Sequence, residues 1–250
     1  LQLEPYQPTS RHKIDIRIYA VQIPKMLDIF QETQIIACLP EHVGNKLKKF
    51  QKVEDRFRSL FGEILMRTEV SKVLGITSQD ITISHNSYGK PSIQGIDDFH
   101  YNISHSGAWV LCIFGSTPVG VDIEKIEPID AIQIAERFFS ALEREYLNSV
   151  VSEDCLSDFY KIWTLKESYI KAVGKGLSIP LDTFNVVGSK LSYSLSSSST
   201  VEIDYELKQY NFEEGYECSA CAHNAKLPET VLIKNAKDLV KEFIEYSQHR

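Results

Sequence analysis

Residues Gly120-Val121-Asp122-Ile123-Glu124-Lys125 alternate apolar and acidic side chains, and this period of two constrains the fold more than any other stretch. Successive side chains of an extended chain point to opposite faces, so Val121 and Ile123 would grip a core while Asp122 and Glu124 share the other side. Two carboxylates held that close repel each other unless a proton or cation intervenes. A hard, oxygen-seeking ion such as Mg2+ meets that need. An edge strand with a solvated acidic face is the plainer reading of the same six residues.

The surrounding pattern is mixed. Ile14 to Val21 alternates as a half-buried strand. Pro40-Glu41 opens a helical region to about Leu74, with Val53, Phe57, Leu60, Phe61, Ile64 and Leu65 at helical spacing and Gly75 as its stop. Ile81 to Ser84 reads as a strand, and Tyr88-Gly89-Lys90-Pro91 as a turn with Lys90 projecting from its tip. Phe99 to Ile103 is extended, Ser104-His105-Ser106-Gly107 reads as a polar loop, and Trp109 to Phe114 is an apolar strand. Ser116-Thr117-Pro118 then turns the chain into the acidic strand, one hairpin away from the histidine.

Helices are expected over Asp130 to Phe139, from a Ser140-Ala141-Leu142-Glu143 capping box to about Asn148, and over about Leu156 to Val173. On the last of these Glu167 and Lys171 share a face distinct from the stripe of Phe159, Ile162, Trp163, Tyr169, Ile170 and Val173. Strands follow over Thr183 to Val187, Lys190 to Leu195, Val201 to Leu207 and Tyr216 to Ala222, with Ser196 to Ser199 as a hairpin loop. Ala236 to Tyr246 is weakly amphipathic and helical.

The chain's 250 residues suffice for one large domain or two small ones. Its formal net charge of -7 argues against general nucleic-acid binding, which requires a basic surface. Lys46, Lys48, Lys49, Lys52, Arg56 and Arg58 nevertheless stand against only Glu54 and Asp55, which marks either a local anion site or a solvated helix face. Cys38, Cys112, Cys155, Cys218 and Cys221 are odd in number and scattered, which fits a reducing, cytoplasmic compartment rather than a disulfide framework. Residues 1–13 are polar, lack an apolar signal core and read as a loose extension, and no stretch is long enough to span a bilayer.

Cys218-Ser219-Ala220-Cys221 lacks the second pair of a structural zinc site, and on a strand its two thiols would face opposite ways. Asn102-Ile103-Ser104 matches a glycosylation acceptor only as a short coincidence. Neither a nucleophile elbow nor a phosphate-binding glycine loop is present. What remains is a set of acids, lysines and one histidine suited to a phosphorylated ligand handled through a metal.

Five motifs, in order and spacing, resemble the 4′-phosphopantetheinyl transferases of the Sfp type. They are Tyr88-Gly89-Lys90-Pro91, Tyr101-Asn102-Ile103-Ser104-His105-Ser106-Gly107, Gly120 to Glu124, Arg137-Phe138-Phe139-Ser140, and the run from Trp163 to Leu177. The similarity spans about Ile14 to Lys237. It implies an α+β fold of two similar α/β halves forming an intramolecular pseudo-dimer: a loose extension 1–13, an N-terminal half 14–117 on the coenzyme A phosphate and adenosine side, and a C-terminal half 118–250 on the metal and carrier side.

The resemblance also implies roles. Asp122, Glu124 and Glu167 would hold Mg2+ with the pyrophosphate of coenzyme A. Lys46, Lys90, Asn102, Ser104 and His105 would meet its adenosine and phosphate end, with Arg58 and Ser59 beside them, and Lys166 and Lys171 would flank the pyrophosphate. His42-Val43 replaces a basic residue that the family often has after the Pro-Glu pair, and Lys48 or Lys49 would substitute. The implied reaction moves phosphopantetheine from coenzyme A to a serine of an apo acyl or peptidyl carrier protein, with Glu167 as first choice of base and Lys171 holding developing charge. The carriers implied are those of fatty acid, polyketide, nonribosomal peptide or lysine biosynthesis; the implied enzyme is a monomer, without nucleic-acid or membrane partners. A Mg2+-dependent pyrophosphohydrolase would cleave coenzyme A without a carrier, and a non-catalytic coenzyme A or carrier scaffold would not need three carboxylates.

Overall fold

The computed structural model describes residues 14–150, 155–187, 192–194, 200–202 and 204–248; the extension 1–13 and the loop Ser196 to Ser199 lie outside them. The first half starts with β1 (Arg17–Gln22) and the helices α1 (Ile29–Ala37), α2 (Glu41–Leu47) and α3 (Val53–Leu74). The single helical region expected from Pro40 is therefore two helices. Lys48 closes the first and Lys52 caps the second in an extended conformation. A short hairpin follows, β2 (Ile83–His85) with β3 (Pro91–Ile93), and then β4 (His100–Ser106) pairs antiparallel with β5 (Trp109–Gly115).

The second half starts with β6 (Val119–Lys125), α4 (Ala131–Phe138), α5 (Ala141–Ser149) and α6 (Cys155–Val173). Ser140 and Glu143 form the capping box expected at the start of α5. Short strands β7 (Phe184–Asn185), β8 (Ser192–Ser194) and β9 (Thr200–Glu202) pair among themselves, while β10 (Tyr205–Tyr210) and β11 (Tyr216–His223) continue the sheet that contains β6. The chain then returns to the first half: β12 (Leu232–Lys234) pairs parallel with β1, and α7 (Ala236–Gln248) buries Leu239 and Phe243 beside Leu60 and Ile64 of α3. A division at residue 118 thus separates the two sheets by sequence, but β12 and α7 pack with the earlier one.

The two main sheets run β12-β1-β5-β4 and β10-β11-β6. β5 and β6 are not a hydrogen-bonded hairpin; residues 116–118 carry the chain from one sheet to the other. Strand alternation decides the layers. Val110, Cys112 and Phe114 face the α3 side, whereas Leu111 and Ile113 of β5 meet Val119, Val121 and Ile123 of β6 between the sheets. Each such aliphatic side chain contributes about 1.5–3 kcal/mol on burial. The halves are therefore joined by a core of their own.

Gly120, Asp122 and Glu124 point the other way, towards α6. A Cβ on Gly120 would run into the Ser168 carbonyl oxygen and the Ala172 nitrogen, so α6 lies directly on β6 at that point. Cys218 packs between the sheets while Cys221 packs under α6, as expected of two strand residues three apart, and all five cysteines are free. No helix among the described residues is long and apolar enough to cross a membrane.

Candidate active site

The site forms where β4 of the first half meets β6 and α6 of the second. Asp122 is 2 % exposed. Its Oδ1 accepts from Lys171 Nζ at 2.5 Å and from the Ser104 hydroxyl at 2.9 Å, and Lys171 also reaches Ser104 Oγ at 3.0 Å. Asp122 Oδ2 is buried without a hydrogen-bond partner. Two positions on, Glu124 Oε2 accepts from Ser106 at 2.9 Å.

Burial first, and then the charge of Asp122, push the Glu124 carboxyl up to about 7. The Glu167 carboxyl is raised by the same two causes in the same order, against the opposing charge of Lys171. A buried acceptor oxygen without a donor, beside two carboxyls driven towards protonation, is a donor set short of positive charge. Among the described residues no three His, Cys, Asp or Glu side chains already make a coordination sphere. The cation in contact with Asp122 is the Lys171 ammonium. Oxygen-only ligands of this kind suit Mg2+, which keeps part of its water and takes few carboxylates.

A cavity opens at each end of this seam. One of about 210 Å3 is lined by Tyr88, Lys90, Asn102, Glu167 and Lys171, and one of about 570 Å3 by Phe57, Arg58, Gly107, Lys125 and Tyr216.

Residues 118–221 match the model of the 4′-phosphopantetheinyl transferase superfamily, and residues 30–116 match that of its N-terminal part, described as 4′-phosphopantetheinyl transferase, N-terminal. The chain is 35% identical to 4′-phosphopantetheinyl transferase Sfp of Bacillus subtilis (strain 168), over 90% of its own length and 100% of that protein. It belongs to the 4′-phosphopantetheinyl transferase family. Two further members are similar: 4′-phosphopantetheinyl transferase ffp of Bacillus subtilis, at 36% identity over 86% of this chain and 96% of that one, and gsp of Aneurinibacillus migulanus, at 37% over 83% and 86%.

The residues expected from the transferase motifs do not all converge. Asp122, Glu124, Glu167, Lys171, Asn102 and Ser104 gather at the seam. Ser104, His105 and Ser106 are not a loop but the end of β4, and the polar alternation that suggested a loop is a strand face turned towards the other half. His105 stands exposed on the opposite face. Lys90 does not project from its turn. Its ammonium donates to Ala172 O at 2.6 Å and Val119 O at 3.3 Å, and burial lowers its pKa to about 8. Asn86, which the sequence reading passed over, ties that hairpin down by donating to Gly174 O at 2.8 Å.

Lys166 does not stand where the motifs imply. It is wholly buried, 2.7 Å from the equally buried Glu143, and donates to Leu181 O and Phe184 O, so it cannot flank a pyrophosphate. One residue on a helix is a turn of about 100°, which separates Lys166 from Glu167. Four residues from both Ile162 and Ile170, Lys166 falls within the apolar stripe, a signal present in the sequence. Arg58 donates to Gly107 O at 2.8 Å and pairs with Asp55, while Lys46 lies exposed on α2 and Ser59 half-buried on α3, neither bonded to the carboxylates.

Proposed function

We propose that this chain transfers 4′-phosphopantetheine from coenzyme A to a serine hydroxyl of an apo acyl or peptidyl carrier protein, in a Mg2+-dependent reaction that releases 3′,5′-ADP. The observation that carries the reading is Asp122, with one oxygen held by Lys171 and Ser104 and the other buried and unpartnered between two acids. Asp122, Glu124 and Glu167 would hold the metal. When bound, Mg2+ neutralises non-bridging phosphate oxygens as a Lewis acid.

The serine oxygen bonds to the β-phosphorus while the bridging bond to the 5′-phosphate of 3′,5′-ADP breaks. Glu167 takes the hydroxyl proton as general base, directly or through a water. Lys171, seated on Asp122 at the seam, meets the charge that grows on the phosphate oxygens. The small cavity lined by Lys90 and Asn102 supports a coenzyme A contact there, and His105, Ser59 and Lys46 are assigned to the adenosine and phosphate end by the motifs alone. Five free, dispersed thiols support a cytoplasmic setting, and the two covalently joined halves support a monomer.

Incubating the chain with an apo carrier, coenzyme A and Mg2+ and reading carrier mass tests the proposal. The parent should load the carrier, whereas Asp122→Ala should lose a factor of about 10² or more in rate. Coenzyme A cleavage without carrier loading would replace transfer by pyrophosphohydrolysis, and near-normal transfer by the variant would remove Asp122 from the site.

A further inference from the structure

The edge of β6 that faces β4 is not closed by a backbone ladder. Asn102 Oδ1 accepts from Val121 N at 3.0 Å, Ser104 Oγ from Ile123 N at 3.4 Å, and Ser106 Oγ from Lys125 N at 3.0 Å. Three alternate side chains of the first half thus take three alternate N–H groups of the second. This register leaves each serine beside one carboxylate, Ser104 beside Asp122 and Ser106 beside Glu124.

Ser104 Oγ is bonded by the Lys171 ammonium, whereas among the described residues Ser106 Oγ is bonded by no ammonium. A hydroxyl carries one proton. The Lys125 N–H can only donate, so the Ser106 oxygen accepts there and its single proton is committed to Glu124 Oε2. The backbone of β6 thereby orients the hydroxyl, and the hydroxyl orients a carboxylate on the neighbouring residue of the same strand. Glu124 has three rotatable side-chain bonds and is only partly enclosed, so without this bond its oxygens are free to swing away from Asp122 and Glu167.

We propose that Ser106 is a positioning residue: a first-half hydroxyl that presents the Glu124 carboxylate of the second half to a divalent cation shared with Asp122 and Glu167. This rests on the metal assignment proposed above. Partners that orient metal ligands are commonly worth a factor of about 10 to 100 in metal affinity. Ser106 contributes through geometry alone, with no contact to the reacting phosphorus.

The test is Mn2+ binding followed by electron paramagnetic resonance on the full chain with coenzyme A and no carrier, so that nothing turns over. Ser106→Ala should weaken Mn2+ binding about 10-fold, with coenzyme A affinity in the absence of metal unchanged and the variant still folded. Ser106→Thr keeps both hydrogen bonds and should restore binding to near the parent value. In a Glu124→Gln background, Ser106→Ala should add nothing further, because the bond it removes no longer serves a metal ligand. Should the alanine variant fail to fold, Ser106→Cys, with its weak donor, takes its place in the same cycle.

Parent-like Mn2+ affinity in Ser106→Ala overturns the proposal, as do additive losses in the double variant or a loss confined to metal-free coenzyme A binding. Failure of the underlying metal reading looks different: Glu124→Gln itself then binds Mn2+ as the parent does.

Discussion

The two halves solve one packing problem in the same way and then part company over chemistry. Each lays a long helix, α3 or α6, on its sheet and ends it at a glycine in the left-handed conformation, Gly75 at φ 66 and Gly174 at φ 75. Each helix also buries a basic residue whose head bonds two carbonyls of the segment after the helix. Arg67 donates to Ser78 O and Ile81 O, Lys166 to Leu181 O and Phe184 O. One residue beyond each pin stands Thr68 on α3 but Glu167 on α6, and five beyond stand Lys72 and Lys171. Lys72 pairs with Glu69 and Glu242 of the first half's own core edge, whereas Lys171 crosses the seam to Asp122. The shared pin is scaffolding, and the neighbouring positions decide which half carries the carboxylates.

The pins should fail unequally. Lys166→Met strands the fully buried Glu143 and is expected to cost about 3–5 kcal/mol in denaturant unfolding, with the KM for coenzyme A unchanged. Arg67→Met should cost less, about 1–3 kcal/mol, because its partner Glu63 keeps contact with water. A raised KM in a folded Lys166→Met would return that lysine to the pyrophosphate.

Next in size is the contrast one residue on. Glu167→Gln should slow carrier loading by about 10²-fold or more, while Thr68→Val on α3 should load carriers at the parent rate. Equal losses would mean that the α3 face also serves the reaction.

The helix seats differ as well. Gly120→Ala drives a methyl into the backbone of α6 and is expected to cost about 1–3 kcal/mol in thermal or denaturant unfolding. Gly62→Ala on α3 meets side chains alone, the Ile103 Cγ2 methyl at 3.3 Å and Val110 Cγ1 at 3.8 Å, and the gain of about 0.5–1 kcal/mol from replacing a helical glycine should offset it.

The last contrast is electrostatic. Burial raises Glu124 to about 7 in the folded chain from the 4.5 of an exposed glutamate, so folding takes up a proton between those values. Its contribution is full below 4.5 and is lost as pH rises through about 7, so the metal-free thermal midpoint should fall across that window. Glu124→Gln should flatten the slope, and an unaltered slope would assign it to other groups.

Much of this was legible in the sequence because periodicity reports burial. The two faces of Gly120 to Lys125, the capping box at Ser140 and the opposed faces of Cys218 and Cys221 all follow from local geometry, and the structure shows each. The differences share a cause: a polar side chain in a motif suggests a ligand, whereas the fold supplies it with a partner inside the protein. Lys166 lies in an apolar stripe, Lys90 turns inward to the end of α6, and Ser104 and Ser106 line a strand face covered by the other half. The partners of Lys90 and of the two serines lie 18 to 82 residues away, beyond any local pattern, whereas the stripe position of Lys166 is itself local. The short elements α1 and β12 went unread for a related reason, since the three residues of β12 become a strand only by pairing with β1.

That last pairing bears on how the chain matures. During synthesis the β1 edge and the α3 groove that receives Leu239 and Phe243 are made early, yet Leu232 to Gln248 emerges only after the whole second sheet. The first-made half is thus the later to be completed. A nascent chain paused before residue 232 would present an open strand edge and an uncovered helix, the features on which chaperones act and by which unfinished chains aggregate.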